Sequence, residues 1–228
     1  MNKQPKVGAV IVAAGESQRM GGADKVLAEL GGEPILLRVT RAFQECSKVN
    51  QVVVVVSGEK EEKCRHLVTG DEWSKVSDIC LGGRRRQDSV TAGLKQLDPC
   101  DWVIIHDGAR PLVTVDLIER GLEAAMETGA AIAAVPVTDT IKVAGEDRLI
   151  MGTPPRQNLW AVQTPQVFRA DIIIKACQEA KGDVTDDASL VEQLGYKVKL
   201  YMGSYDNIKV TTPNDLALAE ILWRKREP

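Results

Sequence analysis

Val7-Gly8-Ala9-Val10-Ile11-Val12 runs straight into Ala13-Ala14-Gly15-Glu16-Ser17-Gln18-Arg19-Met20-Gly21-Gly22, and Asp24-Lys25 closes the stretch. The apolar run over 7–13 reads as a buried strand. The small residues at its exit let backbone N–H groups approach a ligand closely. Arg19 and Lys25 place two cations just beyond, which suits a polyphosphate. The stretch is not a Walker A loop: Asp24 rather than Gly precedes Lys25, and Val26 rather than Ser or Thr follows it. It is not G-x-G-x-x-G either. On residue types alone, an ordinary strand-to-helix turn with solvated charges stays open.

Outward from this stretch the chain alternates. The segment 34–46 reads as a helix, with Pro34 tolerated in its first turn. Gln51–Val56 carries five consecutive valines, and β-branched residues of this kind suit a strand buried on both faces. A charged surface helix over 59–68 precedes a strand at Val76–Leu81, and Gly82-Gly83 leads to a helix over 85–97. A strand over 101–106 ends at Asp107-Gly108-Ala109-Arg110-Pro111, followed by a helix over Val115–Thr128 and a strand over 130–135. This rhythm predicts an α/β fold with a mostly parallel, Rossmann-like sheet and helices on both faces. Ligands of such sheets bind beyond the carboxyl ends of the strands. The loops after the first, third and fourth of these strands are therefore expected to line one crevice.

The rhythm breaks at Pro136. Segments 140–143 and 149–152 flank Gly145-Glu146-Asp147 and read as a hairpin, and Thr153-Pro154-Pro155 is poor material for a central strand. Residues 137–159 thus form a projecting β-arm, and such an arm needs a surface to bury against. A second subunit supplies one, so a homodimer is expected; a solvated excursion on a monomer is the alternative. The segment 160–168 returns to the sheet, and a helix follows over 170–180. Another helix opens at Thr185-Asp186-Asp187-Ala188, with Thr185 as the cap. Short strands are expected at 197–202 and 207–210, and a closing helix over 213–226 has Thr212 as cap and Pro213 in its first position. The whole span 1–228 reads as a single domain carrying the arm.

Composition narrows the function classes. Apolar content of 44%, charged content of 27% and a net charge of −3 describe an ordinary globular chain and argue against nucleic acid as a partner. No run is apolar for long enough to span a bilayer, and Met1-Asn2-Lys3-Gln4-Pro5 lacks a signal-peptide core, so no membrane association and a cytoplasmic location are expected. The five cysteines are odd in number and contain no C-x-x-C, which fits reduced thiols. The two histidines form no metal-binding pair, and no G-x-S-x-G elbow is present.

The expected crevice collects Arg19, Lys25, Asp107, Arg110 and Lys209, with no evident general base. That inventory fits phosphoryl or nucleotidyl transfer. An incoming phosphate oxygen is already anionic, and the work is orientation and charge neutralisation. Mg²⁺ binds through one or two carboxylates plus substrate phosphates, which makes Asp107 the candidate metal residue. Asp107 also fits a turn cap, and its place at a strand's carboxyl end favours the metal. Lys209 fits an exposed edge strand equally well. Asp186 and Asp187 read as helix N-terminal residues, Arg84-Arg85-Arg86 as a solvated basic turn from which Arg86 could orient a loop, and His106 as a packed residue without chemistry.

The loop through Lys25 resembles the signature loop of nucleotidyltransferases. With it in register stand Asp88-Ser89-Val90, His106-Asp107-Gly108-Ala109-Arg110-Pro111, Thr164-Pro165-Gln166, Thr185-Asp186-Asp187-Ala188-Ser189 and Asp206-Asn207-Ile208-Lys209-Val210-Thr211. Together they resemble the 2-C-methyl-D-erythritol 4-phosphate cytidylyltransferases over nearly the whole chain. The resemblance implies a nucleotidyltransferase sheet and Mg²⁺-dependent transfer of CMP from CTP to the methylerythritol phosphate, with release of pyrophosphate. It implies catalytic roles for Arg19, Lys25 and Lys209. Nucleotide binding would fall to Ala13, Ala14, Gly15, Arg19, Lys25, Gly83, Ser89 and Asp107, with Asp107 also holding the metal. Acceptor binding would fall to Arg110, Thr140, Arg156 and Lys209, with Thr140 and Arg156 crossing on the arm to the neighbouring subunit's site.

Three positions depart from the family's pattern: Asp24 where Pro commonly precedes the lysine, Gly108 where Ala is common, and Arg84 in place of an acidic residue. Competing readings are a cytidylyltransferase for another polyol phosphate such as ribitol 5-phosphate, and a non-catalytic nucleotide-binding protein. The segment 17–25 also resembles the molybdopterin guanylyltransferases, from which the downstream motifs point away.

Overall fold

The computed structural model describes residues 4–15, 24–68 and 70–226. Its centre is a seven-stranded sheet ordered β11-β7-β10-β6-β1-β4-β5. These are β1 (Val7–Val12), β4 (Gln51–Val56), β5 (Val76–Leu81), β6 (Trp102–Asp107), β7 (Ala130–Pro136), β10 (Trp160–Arg169) and β11 (Lys199–Met202). β1 runs parallel to β4 and β6, β4 to β5, and β11 to β7, while β10 lies antiparallel between β6 and β7. The mostly parallel sheet expected from the rhythm is therefore present.

The valine run shows why the sheet is covered twice. Side chains alternate across a strand. Val52, Val54 and Val56 join one core cluster, and Val53 and Val55 join the other. The first cluster takes α1 (Ile35–Glu45), α2 (Glu61–Leu67) and α4 (Val115–Thr128) through residues such as Phe43, Cys64 and Ile118. The second takes α3 (Arg86–Gln96), α5 (Ala170–Glu179) and α6 (Asp187–Gln193) through Val90, Ile173 and Leu190. The closing helix α7 (Pro213–Arg224) packs in a third cluster with Leu30, Ile35 and Leu112. Its cap is Thr212, with Pro213 first in the helix. No helix among the described residues is long and apolar enough to cross a membrane.

After β1 the chain crosses to β4 on one side, and after β6 it continues toward β7 on the other. The connections thus part at the β1–β6 pair, where open α/β sheets place their ligand crevice. Two short strands, β2 (Glu29–Leu30) and β3 (Glu33–Pro34), form a hairpin ahead of α1 that hydrophobic patterning does not reveal. The arm is an antiparallel pair, β8 (Val143–Ala144) with β9 (Ile150–Gly152).

Three local expectations are corrected. Residues 207–210 form no strand: Arg110 donates to the Asn207 carbonyl at 2.8 Å and Asn207 Nδ2 donates to the Thr164 carbonyl at 2.8 Å, so these groups serve side chains rather than a ladder. The cap of α6 is Asp186, not Thr185. Its Oδ1 accepts from the Ser189 N–H at 3.1 Å, and a carboxylate also complements the positive end of a helix. The segment 59–68 is not wholly a surface helix, because it opens with a 3₁₀ turn at Gly58–Lys60 whose Lys60 is buried.

Helix α3 lies close against the sheet because Gly93 has no side chain. A Cβ there would stand 2.5 Å from Val10 Cγ1 and 2.8 Å from Val55 Cγ2. Gly→Ala in an exposed helix stabilises by about 0.8–1 kcal/mol. At Gly93 the overpacking dominates, and Gly93→Ala is expected to destabilise by about 1–3 kcal/mol, read as a lower urea midpoint at unchanged m-value. A raised midpoint would show that helix and sheet can separate freely.

Candidate active site

The carboxyl edge of β1, β5 and β6 opens into a cleft of about 640 Å³. Ala13, Ala14 and Gly15 leave β1 along one wall, and Gly83 and Ser89 face them. This wall is tight. The Gly83 N–H donates to Ser89 Oγ at 3.2 Å, and a Cβ on Gly82 would lie 2.4 Å from Ala14 Cβ. Lys25 lines the same cleft, and its Nζ is 3.5 Å from where a Gly15 side chain would begin. A larger residue at 15 would crowd that ammonium. Arg19, expected beside Lys25, lies outside the described residues.

Asp107 ends β6 at the floor, 7% exposed. Its Oδ2 is 2.9 Å from Lys209 Nζ and 3.4 Å from Arg110 Nε, and its Oδ1 is 3.4 Å from Arg86 Nε. Burial pushes the Asp107 carboxyl up, but Lys209, Arg86 and Arg110 outweigh it and hold it well below the usual carboxylate range. Lys209 is thus an ion-pair partner of Asp107 at the cleft, with its side chain 39% exposed, rather than an isolated edge residue. Arg110 spends a second donor on the Asn207 carbonyl.

Arg86 reaches past Asp107 to Asp187, with Nη1 2.7 Å from Asp187 Oδ2. Asp187 is fully buried, and burial raises its carboxyl against the pull of Arg86. The basic turn is thus split: Arg85 pairs outward with Asp88 and Asp183, and Arg86 turns inward. Asp187 was hidden in the sequence behind its other reading as a helix N-terminal charge. Its one signal is an Asp immediately after an Asp cap, where a solvated face needs only one.

A second chamber of about 450 Å³ opens toward β10 and α6, with Gln163, Thr164 and Ser189 on its walls. It shares Asp107, Lys209 and Arg86 with the first. Arg110 lines this second chamber. Thr140 and Arg156 stand on the exposed arm and line neither chamber of their own chain.

Thr164 fixes the floor. β10 shifts register between Val162 and Gln166, which re-aims the residues between. The Asp107 N–H donates to Thr164 Oγ1 at 3.0 Å, so that hydroxyl's own proton is left for His106 Nδ1, also at 3.0 Å. Nε2–H of His106 then faces the Arg110 carbonyl at 3.4 Å. The partners define a neutral imidazole, packed against the Phe43 ring.

No group of three or more His, Cys, Asp or Glu side chains among the described residues could hold a metal by itself. Asp107 is a single, firmly ionised oxygen donor on the cleft floor. That fits Mg²⁺ in the mode where substrate phosphates and water complete the shell.

The chain matches the model of the family described as 2-C-methyl-D-erythritol 4-phosphate cytidylyltransferase over residues 7–225. It is 52% identical over 220 residues to a protein of that name from Dehalococcoides mccartyi, covering 96% of this chain and 97% of the other. A protein of the same name from Caldanaerobacter subterraneus subsp. tengcongensis is 48% identical over 225 residues, covering 96% and 99%. Among solved structures, the 4-diphosphocytidyl-2C-methyl-D-erythritol synthase of Anaerococcus prevotii superposes with a TM-score of 0.86 at 28% identity, covering 97% of each chain. The 2-C-methyl-D-erythritol 4-phosphate cytidylyltransferase of Thermus thermophilus gives 0.78 at 33% identity, covering 96% and 99%.

Burial pushes His106 down to about 3, with the Asp107 charge opposing. An unfolded chain protonates this histidine near ~6.5. Between those values the unfolded state binds the extra proton, so stability falls as pH falls, by about 1.4 kcal/mol per pH unit from this group. Asp107, with its depressed value, adds loss in the same direction below about 4. Urea unfolding between pH 7.5 and 5 is expected to show the first slope, and His106→Gln to flatten it. An equal slope in the variant would remove His106 as its source.

Proposed function

The chain belongs to the 2-C-methyl-D-erythritol 4-phosphate cytidylyltransferase family, and from that premise we propose that it transfers CMP from CTP to 2-C-methyl-D-erythritol 4-phosphate. The products are 4-diphosphocytidyl-2-C-methyl-D-erythritol and pyrophosphate. The observation that carries this reading is the pair of chambers meeting at Asp107, Lys209 and Arg86. A two-substrate transfer needs two sites with one charged junction between them.

In this reading the chamber beside Lys25 takes CTP and the one beside Thr164 takes the acceptor. A phosphate oxygen of the acceptor attacks the α-phosphorus, a new P–O bond forms, and the bond to the β-phosphate oxygen breaks. Pyrophosphate leaves with that electron pair, and no proton need be removed from the nucleophile. Lys25 and Lys209 stabilise charge on the α-phosphate in the transition state, and Arg19 joins Lys25 on the triphosphate. Asp107, together with the phosphates, would hold Mg²⁺, which would supply further neutralisation of the triphosphate charge. The backbone at Ala13, Ala14 and Gly15, with Gly83 and Ser89, reads the cytosine edge. The tight wall limits base size, and hydrogen bonds to the exocyclic amine and O2 separate cytosine from uracil.

Arg110 and Lys209 hold the acceptor phosphate from within the chain. Thr140 and Arg156 serve the same substrate in a neighbouring subunit of a homodimer. The support is the arm's surface: Leu149, Ile150 and Met151 are 68%, 64% and 75% exposed, an apolar face in want of cover. The chain acts as one nucleotidyltransferase domain, with 137–159 as its dimerisation arm. Five free cysteines suit the reducing cytoplasm.

Pyrophosphate release is the direct test, with CTP, Mg²⁺ and either methylerythritol 4-phosphate or ribitol 5-phosphate as acceptor, and ATP, GTP and UTP as controls. Release is expected with CTP and methylerythritol phosphate alone, and is abolished by EDTA. Release with ribitol phosphate would keep the nucleotide site and overturn the acceptor. No release with either would overturn the reaction.

The shared site has its own test. Lys25→Ala and Arg156→Ala chains are each expected to lose about a hundredfold or more in kcat/KM. Mixed, they regain activity, since a heterodimer carries one intact site. No recovery despite confirmed subunit exchange would assign each site to a single chain.

A further inference from the structure

Lys60 belongs to no wall of the cleft, yet its side chain is only 10% exposed. Lysine is almost never buried without a partner. Here it has two: Nζ is 2.7 Å from Asp24 Oδ2 and donates to the Gly15 carbonyl at 3.3 Å. Gly15 and Asp24 are the described residues on either side of positions 16–23. One ammonium therefore joins the exit of β1 to the approach to Lys25.

Asp24 carries the connection onward. Its Oδ1 accepts from the Val26 N–H at 3.0 Å, and its carbonyl accepts from the N–H groups of Leu27 and Ala28 at 3.2 and 2.8 Å. These bonds set the turn from which the Lys25 side chain starts, and Lys25 Nζ ends beside Gly15. The same contact settles a charge problem. A carboxylate next to Lys25 opposes a triphosphate, and the Lys60 ammonium stands 2.7 Å from it with opposite charge. Removing one partner of a buried ion pair leaves the other charge uncompensated, which is worse than losing both.

We propose that Lys60 is a positioning residue for polyphosphate binding, acting through Asp24 and Gly15 to place Lys25 and to cancel the Asp24 charge. The kinetic form of this inference rests on the CTP reading above; the binding form needs only a polyphosphate site.

The test compares the parent with Lys60→Met, Lys60→Arg and the double variant Lys60→Met/Asp24→Asn. Steady-state kinetics are expected to show Lys60→Met lowering kcat/KM for CTP about tenfold, with the KM for the acceptor within about twofold. Lys60→Arg retains most of the parent's efficiency. The double variant recovers most of the loss, because the carboxylate whose charge Lys60 offset is gone. A merely structural lysine would shift both substrates together and gain nothing from the second substitution.

Calorimetric titration of inorganic tripolyphosphate with Mg²⁺ gives a readout independent of turnover, and the same order of affinities is expected. If the parent binds tripolyphosphate without catalysing transfer, the reaction assignment fails and this ranking still decides the role of Lys60. Equal affinity in folded Lys60→Met, a double variant no better than the single one, or no tripolyphosphate binding by the parent would each overturn the proposal.

Discussion

The contact between Asp107 and its three cations is the constraint on which the site depends. One carboxylate at the end of β6 faces Lys209, Arg110 and Arg86, each from a different stretch of backbone. Ion pairs made to a buried carboxylate gain little net stability, because desolvation offsets the attraction. Their effect is on arrangement. Without Asp107, three cations would face one another in a partly dry cleft; with it, each is pinned within hydrogen-bonding or ion-pair range of one point. Asp187 adds a second buried anion behind Arg86. The cluster then holds three cations against two carboxylates, and Lys25 adds another cation at the opposite wall. Such a surplus, fixed before any anion arrives, is what electrostatic preorganisation requires.

That arrangement requires an accurate floor, and the fold supplies it through backbone rather than through long side chains. β6 is gripped on both edges, by β1 in parallel and by β10 in antiparallel register. The register shift in β10 frees Thr164 to bond the Asp107 N–H and to fix the His106 tautomer. The same region accepts Asn207 Nδ2 on the Thr164 carbonyl, which locates the backbone carrying Lys209 two residues later. Residues 207–210 are thus held as a strap by Arg110 on the Asn207 carbonyl, by the Asn207 side chain on the Thr164 carbonyl, and by the Val210 N–H on the Ala109 carbonyl at 2.8 Å. Irregular backbone is tolerated there because its polar groups find such partners.

Much of this was legible. The five valines dictate a doubly covered strand, and the alternation of their neighbours into two clusters follows from a period of two. Lys25 after a small-residue loop, Asp107 at a strand end and the hairpin of the arm are all local patterns, and the structure places Lys25 beside Gly15 in the cleft, Asp107 at the end of β6 and a two-stranded pair in the arm. What could not be read is non-local. Asp187 and Arg86 stand about a hundred residues apart in the chain, and nothing in either neighbourhood marks them as a pair. Lys60 reads as one charge among many in a polar segment, and only its burial against Asp24 distinguishes it. Thr185 and Asp186 compete for one cap, and the outcome rests on which oxygen meets the Ser189 N–H.

The Lys60–Asp24 pair also accounts for the departure at position 24. Proline restricts its own φ and the residue before it, so it stiffens a turn without hydrogen bonds. Asp24 reaches a comparable end by another route, accepting three N–H groups from the turn it opens. That route brings a negative charge next to Lys25, a lining residue of the cleft. A buried ammonium from the turn after β4 meets that charge at 2.7 Å. The two residues therefore form one unit. The Lys60 ammonium is held against the Asp24 carboxylate, and the Gly15 carbonyl gives that cation its second point of attachment.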